Sequence, residues 1–192
     1  MKYKLTTAPA SEPISLADAK LHLRIESSIT EDDDYITALI AAARHHVEKT
    51  TGLAIIDQTW TAYADAFSDE MELLRDLSSV TEIRYQDTDN AQQKLATSIY
   101  TVDTASYVGR VVLAKDQEWP DTYEEINAVE IEFVRGIAAT ATDVPQNLRA
   151  AMLLIIGNLY LNRETDVIGV SVAELPFGVK MLLQPYIQPN IG

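Results

Sequence analysis

The 192-residue chain carries 29 acidic against 15 basic residues, a formal net charge of -14, and no cysteine. That length buries one hydrophobic core without cross-links, the missing cysteines exclude disulfides and thiolate chemistry, and the acidic balance without a Lys/Arg cluster argues against tight binding to a phosphate backbone. An apolar content of 47% with no Gly/Pro/Ser-rich stretch indicates an ordered, soluble protein; the longest apolar run, 150–156, is far short of the ~20 residues that span a bilayer, and the basic start at Lys2 and Lys4 has no apolar run behind it to make a secretory signal.

In chain order, Ser15 is placed to cap a short first helix, with Asp18 three residues on able to reach back to the cap. After Thr30 and the acidic run Glu31-Asp32-Asp33-Asp34, the apolar residues Ile36, Leu39, Ile40, Ala43 and Val47 recur at helical spacing until Gly52, a natural C-terminal stop. From Gln58 the period shifts toward two. Strands are expected at 59–63, 71–74, 80–86, 99–102, 110–113 and 129–133, with a turn at Asp87-Thr88-Asp89-Asn90 and a stop at Gly136. A third helix follows, with Asp143 as its expected N-cap and Pro145 in its first turn. Leu148, Ala151, Met152, Ile155 and Leu159 form one stripe, yet Leu153, Leu154, Ile156 and Tyr160 lie off it. A helix apolar nearly all round is expected to be buried on several sides, in its own core or against a neighbouring subunit. Beyond Asn162-Arg163-Glu164, Gly169 and Gly178 bracket a short stretch, and 179–186 reads as a last short helix broken by Pro185.

Chemistry-bearing patterns are sparse. Consecutive carboxylates at 31–34 point in different directions and favour the positive end of a helix dipole, so a solvated helix start is expected. The neighbours His45 and His46 diverge by ~100° on a helix and cannot share a metal, unlike histidines four residues apart; His22 stands alone. No Gly-x-Ser-x-Gly elbow, no Ser-x-x-Lys and no phosphate-cradling glycine loop is present. Trp60, Tyr63, Trp119 and Tyr123 lack interleaved basic residues, which favours sheet packing over base stacking. No catalytic, cofactor-binding or metal-ligating residue is assigned.

Several ordered segments carry a resemblance. They are Pro13-Ile14-Ser15-Leu16-Ala17-Asp18-Ala19-Lys20 with His22-Leu23-Arg24, Asp32-Asp33-Asp34-Tyr35-Ile36 leading to Ala41-Ala42-Ala43-Arg44, and Val47-Glu48-Lys49-Thr50-Thr51-Gly52. Further along come Gln58-Thr59-Trp60, Glu118-Trp119-Pro120, Asp143-Val144-Pro145 with Leu148, Tyr160-Leu161-Asn162-Arg163-Glu164, and Ser171-Val172-Ala173-Glu174-Leu175-Pro176-Phe177-Gly178. In this order the chain resembles the head-tail connector (adaptor) proteins of long-tailed bacteriophages and prophages, over roughly residues 13–186.

The resemblance implies an α+β fold. Its expected form is a mainly helical body, N- and C-terminal helices packed together over about 15–52 and 144–186, with a small antiparallel sheet inserted at about 57–136, all within a single connector domain, 1–192. It implies a homo-oligomeric ring, twelvefold to match a portal protein, with a tail-completion or stopper protein on the other face. DNA would pass through the channel without specific binding, and no membrane or cofactor is involved. The expected location is the head-tail interface of a virion assembled in the host bacterial cytoplasm. Asp166, Val167, Ile168, Val170, Val172, Leu175 and Phe177 are the expected portal contacts. A cytosolic protein-binding or regulatory module is the alternative, and an enzyme the weakest of the three readings.

Overall fold

In the computed structural model, which describes residues 1–163 and 177–187, the alternating run at 129–133 lies at the centre of a sheet. This strand, β8 (Val129–Arg135), buries Val129, Ile131, Phe133 and Arg135 on one face and half-buries Glu130, Glu132 and Val134 on the other. It takes the eighth label because seven strands precede it: β1 (Lys2–Thr7), β2 (Gln58–Ala64), β3 (Glu70–Arg75), β4 (Leu77–Gln86), β5 (Gln92–Lys94), β6 (Tyr100–Asp103) and β7 (Val108–Leu113). Two antiparallel sheets result, one of five strands in the order β1-β2-β8-β4-β5 and one of three in the order β3-β7-β6. Their apolar faces share one core, with Ala62, Ile83, Val129, Ile131 and Phe133 from the larger sheet and Met71, Leu73, Tyr100 and Val111 from the smaller. Phe67 and Trp119 stack against it at 4.8 Å between ring centroids.

The strands belong to one of two compact units, formed by Met1–Ala10 with Ile56–Ile137. The other unit joins Ser11–Ile55 to Ala138–Gly192, and its described helices are α1 (Leu16–Leu23), α2 (Asp33–Thr51), α3 (Gln146–Leu161) and α4 (Phe177–Leu183). Ser15 caps α1 as expected, its hydroxyl accepting the Asp18 amide at 3.0 Å. α1 ends on Arg24 in the left-handed region (φ 59°), whose amide and that of Ile25 return to Leu21 and Lys20 carbonyls, closing the helix without a glycine. The spacing expected for α2 is the buried set: Ile36, Leu39, Ile40, Ala43 and Val47 face inward, and Gly52 ends the helix at φ 74°.

Two expectations need correction. The fold is not a mainly helical body with a small central sheet: helix and strand hold about equal shares of the described chain, and the eight strands form two sheets rather than one. The strands are short, β1 and β5 bury none of their side chains, and β1 pairs with β2 across two intervening helices, so no local burial signal marks either strand. Second, Asp143 does not cap α3. It closes a 3-10 turn, Ala141–Asp143, accepting the Thr140 hydroxyl at 2.6 Å, and Pro145 occupies the cap position. In the single chain α3 turns Leu148, Ala151, Met152, Ile155 and Ile156 inward and leaves Leu154, Leu159 and Leu161 exposed, Leu161 to 80%.

Gly109 in β7 tests the packing between the sheets. A Cβ added there would lie 2.4 Å from the Leu77 Cβ, closer than atoms pack and too near the backbone for Leu77 to swing aside. Gly109→Ala is expected to lower the unfolding free energy in urea by about 1–3 kcal/mol, with no loss of secondary structure by circular dichroism.

Candidate functional site

Within the helical unit, basic side chains join segments that are distant in sequence. Lys20 on α1 is 5% exposed. Its Nζ donates to the carbonyls of Ser27 (3.3 Å) and Ile29 and pairs with Asp33 Oδ1 at 2.7 Å, so all three ammonium hydrogens have partners. The α1–α2 loop is thereby drawn around one buried charge. Arg149 on α3 donates to the carbonyls of Pro13 and Ala141 (3.0 Å) and to Asp18 Oδ2 at 3.1 Å. Hydrogen bonds from Ser15, joined by the Arg149 guanidinium, hold the Asp18 carboxyl below the usual carboxylate range. Arg44 on α2 pairs with Glu12 and Glu48, each at 2.8 Å, and the second Glu48 oxygen accepts the Ile55 amide at 3.1 Å.

A fourth cluster lies where α3 ends. Asp32, immediately before α2, accepts the Tyr160 hydroxyl at 2.5 Å and Arg163 Nη2 at 2.7 Å on the same oxygen. The guanidinium lies 4.8 Å from the ring centroids of both Tyr35 and Tyr160, near enough for cation–π attraction, and Tyr35 donates to the Leu159 carbonyl at 3.3 Å. The hydrogen bond from Tyr160, then that from Arg163, lowers the pKa of Asp32, and the same bond to Asp32 raises that of Tyr160. Arg163 is the last described residue before 177, and the cluster ties the end of α3 to the start of α2.

Of the expected portal contacts, Asp166, Val167, Ile168, Val170, Val172 and Leu175 lie outside the described residues, and Phe177 opens α4. Sequence reasoning did not find Lys20, Asp32, Tyr35, Arg149, Tyr160 or Arg163. The acidic run at 31–34 was the available signal. Asp32 and Asp33 are engaged in tertiary contacts, and only Glu31 and Asp34 are solvated as expected. His22, His45 and His46 are exposed. A cavity of about 620 Å³ beside α1 is lined mainly by Leu16, Ala17, Leu21 and Ile25, with Glu26 and the Lys20–Asp33 pair in its wall. No described helix is long and apolar enough to cross a membrane.

Charged groups arranged in this way bind the chain to itself. The chain belongs to the family of phage gp6-like head-tail connector proteins, whose model matches residues 13–129, from the approach to α1 through the first residue of β8. No curated protein sequence matches it. Solved structures with the same fold include a chain of the "virion of native gene transfer agent (GTA) particle", 22% identical with a TM-score of 0.79. Others are chains of the "neck of empty GTA particle computed with C6 symmetry", 20% identical at 0.76, and of the "neck of native GTA particle computed with C12 symmetry", 22% identical at 0.71. Each alignment covers 100% of this chain and 97% of the other.

Two predictions follow from the charged groups. Lys20→Met leaves the Asp33 carboxylate and two loop carbonyls without their shared cation, and is expected to cost about 3 kcal/mol in chemical denaturation. Lys20→Met/Asp33→Asn should recover part of that loss. For Asp32, a carboxyl whose folded pKa is depressed contributes stability that is complete above its unfolded value of about 4 and is lost as pH falls through the lower folded value. Stability measured from pH 6 downward should therefore fall less steeply for Asp32→Asn than for the unaltered protein. Parallel curves would show that the carboxylate contributes nothing to the acid limb.

Proposed function

We propose that this chain is the repeating subunit of a ring in a head-tail neck, docking on a portal protein on one face and on a tail-completion or stopper protein on the other, without catalytic activity. The observation that carries the reading is the end-to-end likeness to chains of particle necks computed with C6 and C12 symmetry, joined to membership of the connector family. A closed ring of identical subunits needs two different complementary patches on each copy. Leu154, Leu159 and Leu161 on α3 and Met181 on α4 supply exposed apolar side chains in the helical unit, and we assign one of those patches to them. Twelve copies is the stoichiometry consistent with the portal-matched ring.

In this reading residues 166–177 carry the portal contacts, with Val167, Ile168, Val170 and Val172 as the apolar contacts and the cluster at Asp32 and Arg163 holding their origin. DNA passes through the ring unbound. A net charge of -14 per subunit supports this, because a wall of carboxylates repels phosphates rather than trapping counterion-releasing contacts.

The portal assignment is tested by replacement rather than truncation, since α4 returns to bury Val179 and Leu183. Substituting residues 166–175 with a Gly/Ser linker of equal length should abolish co-sedimentation with portal rings and leave the melting temperature unchanged. Undiminished co-sedimentation by a folded linker variant would refute the assignment.

A further inference from the structure

The five-stranded sheet ends at β1, and no described segment pairs with the outer edge of that strand. Its backbone hydrogen-bonding groups on that side are open to a further strand. The side chains on its two faces differ in kind. Cross-strand register sets Lys2 in a row with Tyr63, Glu130, Arg84 and Lys94, and Lys4 in a row with Thr61, Glu132 and Glu82, so both lysines share the face that turns away from the core. Tyr3 and Leu5 align with Ala62 and Trp60 on the core side and remain 37% and 42% exposed, although the Tyr3 hydroxyl donates to the Glu72 carbonyl of β3 at 2.9 Å.

On the outer face Arg84 and Lys94 approach the three glutamates from the far side of the sheet. Arg84 lies against Glu82 and within 3.7 Å of Glu130 and Glu132, and Lys94 pairs with Glu82 at 3.1 Å. Lys2 and Lys4 make no ion pair among the described residues. Two cations two residues apart on an open sheet edge give that edge a local positive charge in a chain of net charge -14.

We propose that β1 is a docking edge for an extended acidic strand from another polypeptide, which adds to the sheet as a sixth strand. The partner that fits alternates acidic with apolar residues: its carboxylates meet Lys2 and Lys4, its apolar side chains cover Tyr3 and Leu5, and its main chain satisfies the open edge. The same lysines disfavour a second copy of this chain in two registers, since antiparallel pairing centred on Lys4 sets Lys4 opposite Lys4 and in-register parallel pairing sets each lysine beside its copy. The edge thus favours an acidic strand over its own copy, and the inference does not depend on the ring reading.

The test uses the full chain and a fluorescently labelled synthetic peptide of alternating glutamate and valine, with a lysine–valine peptide of equal length as control. The acidic peptide is expected to bind, to slow amide exchange at residues 2–7, and to weaken as salt is raised. Lys2→Glu/Lys4→Glu should reduce its affinity by at least about tenfold, and Lys2→Gln/Lys4→Gln by an intermediate factor. Both pairs are exposed, so thermal melts of the variants should match the parent. No binding, equal binding of the two peptides, protection elsewhere than β1, or self-association of the parent chain that the double variants abolish would each overturn the proposal.

Discussion

The helical unit depends on one buried ammonium group. Taking a lysine out of water costs several kcal/mol unless each of its hydrogens has a partner, and Lys20 meets that condition only if the α1–α2 loop turns so that Ser27, Ile29 and Asp33 converge on it. That requirement sets where α2 begins. Asp32 precedes its first turn and is therefore presented to Tyr160 and Arg163 at the far end of α3. The root of the proposed portal-binding segment is positioned through this series: a charge in α1 orders a loop, the loop sets a helix start, and the helix start anchors another helix end.

The sheet unit obeys a different constraint. Its core is apolar and lies between two sheets, and the buried charge there, the Arg135–Asp76 pair at 3.2 Å, sits at the end of β8, beside the close contact of Gly136 with Asp57, where an added Cβ would lie 2.6 Å from the Asp57 amide nitrogen. Asp76 takes a left-handed conformation (φ 59°) between β3 and β4, and its carbonyl accepts the Gly136 amide at 2.9 Å. The turn that passes the chain from one sheet to the other is thus tied to the end of the central strand.

What could be read from sequence follows the burial pattern. α2 and β8 were legible because each buries one face continuously, and the resulting 3.6- and 2-residue periods survive in Ile36 to Val47 and in Val129 to Phe133. Ser15 and Gly52 were legible because caps are local chemistry. β1 was not: Lys2-Tyr3-Lys4-Leu5 has the alternation of a strand, but its partner β2 lies beyond two intervening helices, and no local signal specifies a pairing over that distance. Balance between helix and strand was misjudged for the same reason. The cluster at Asp32 was hidden differently, since a run of four acidic residues looks alike whether its members face water or tyrosine and arginine, and only the fold distinguishes them.

The placement of the basic residues connects the two units' chemistry with the surface they present. Lys20, Arg44, Arg149 and Arg163 are engaged within the helical unit, and Arg84, Lys94, Arg110 and Arg135 within the sheets. Paired with carboxylates of this chain, these cations have their charge locally offset, whether buried like Lys20 and Arg135 or exposed like Lys94 and Arg163. Lys2, Lys4, Arg24, Lys49 and Lys115 have no ionic partner among the described residues, and they are set against exposed carboxylates such as Glu31, Asp34, Asp116, Glu118, Glu124 and Glu125. The excess negative charge is therefore a property of the solvent-facing surface and not merely of the composition. A protein with this distribution holds itself together by the same residues that would otherwise make it adhere to nucleic acid.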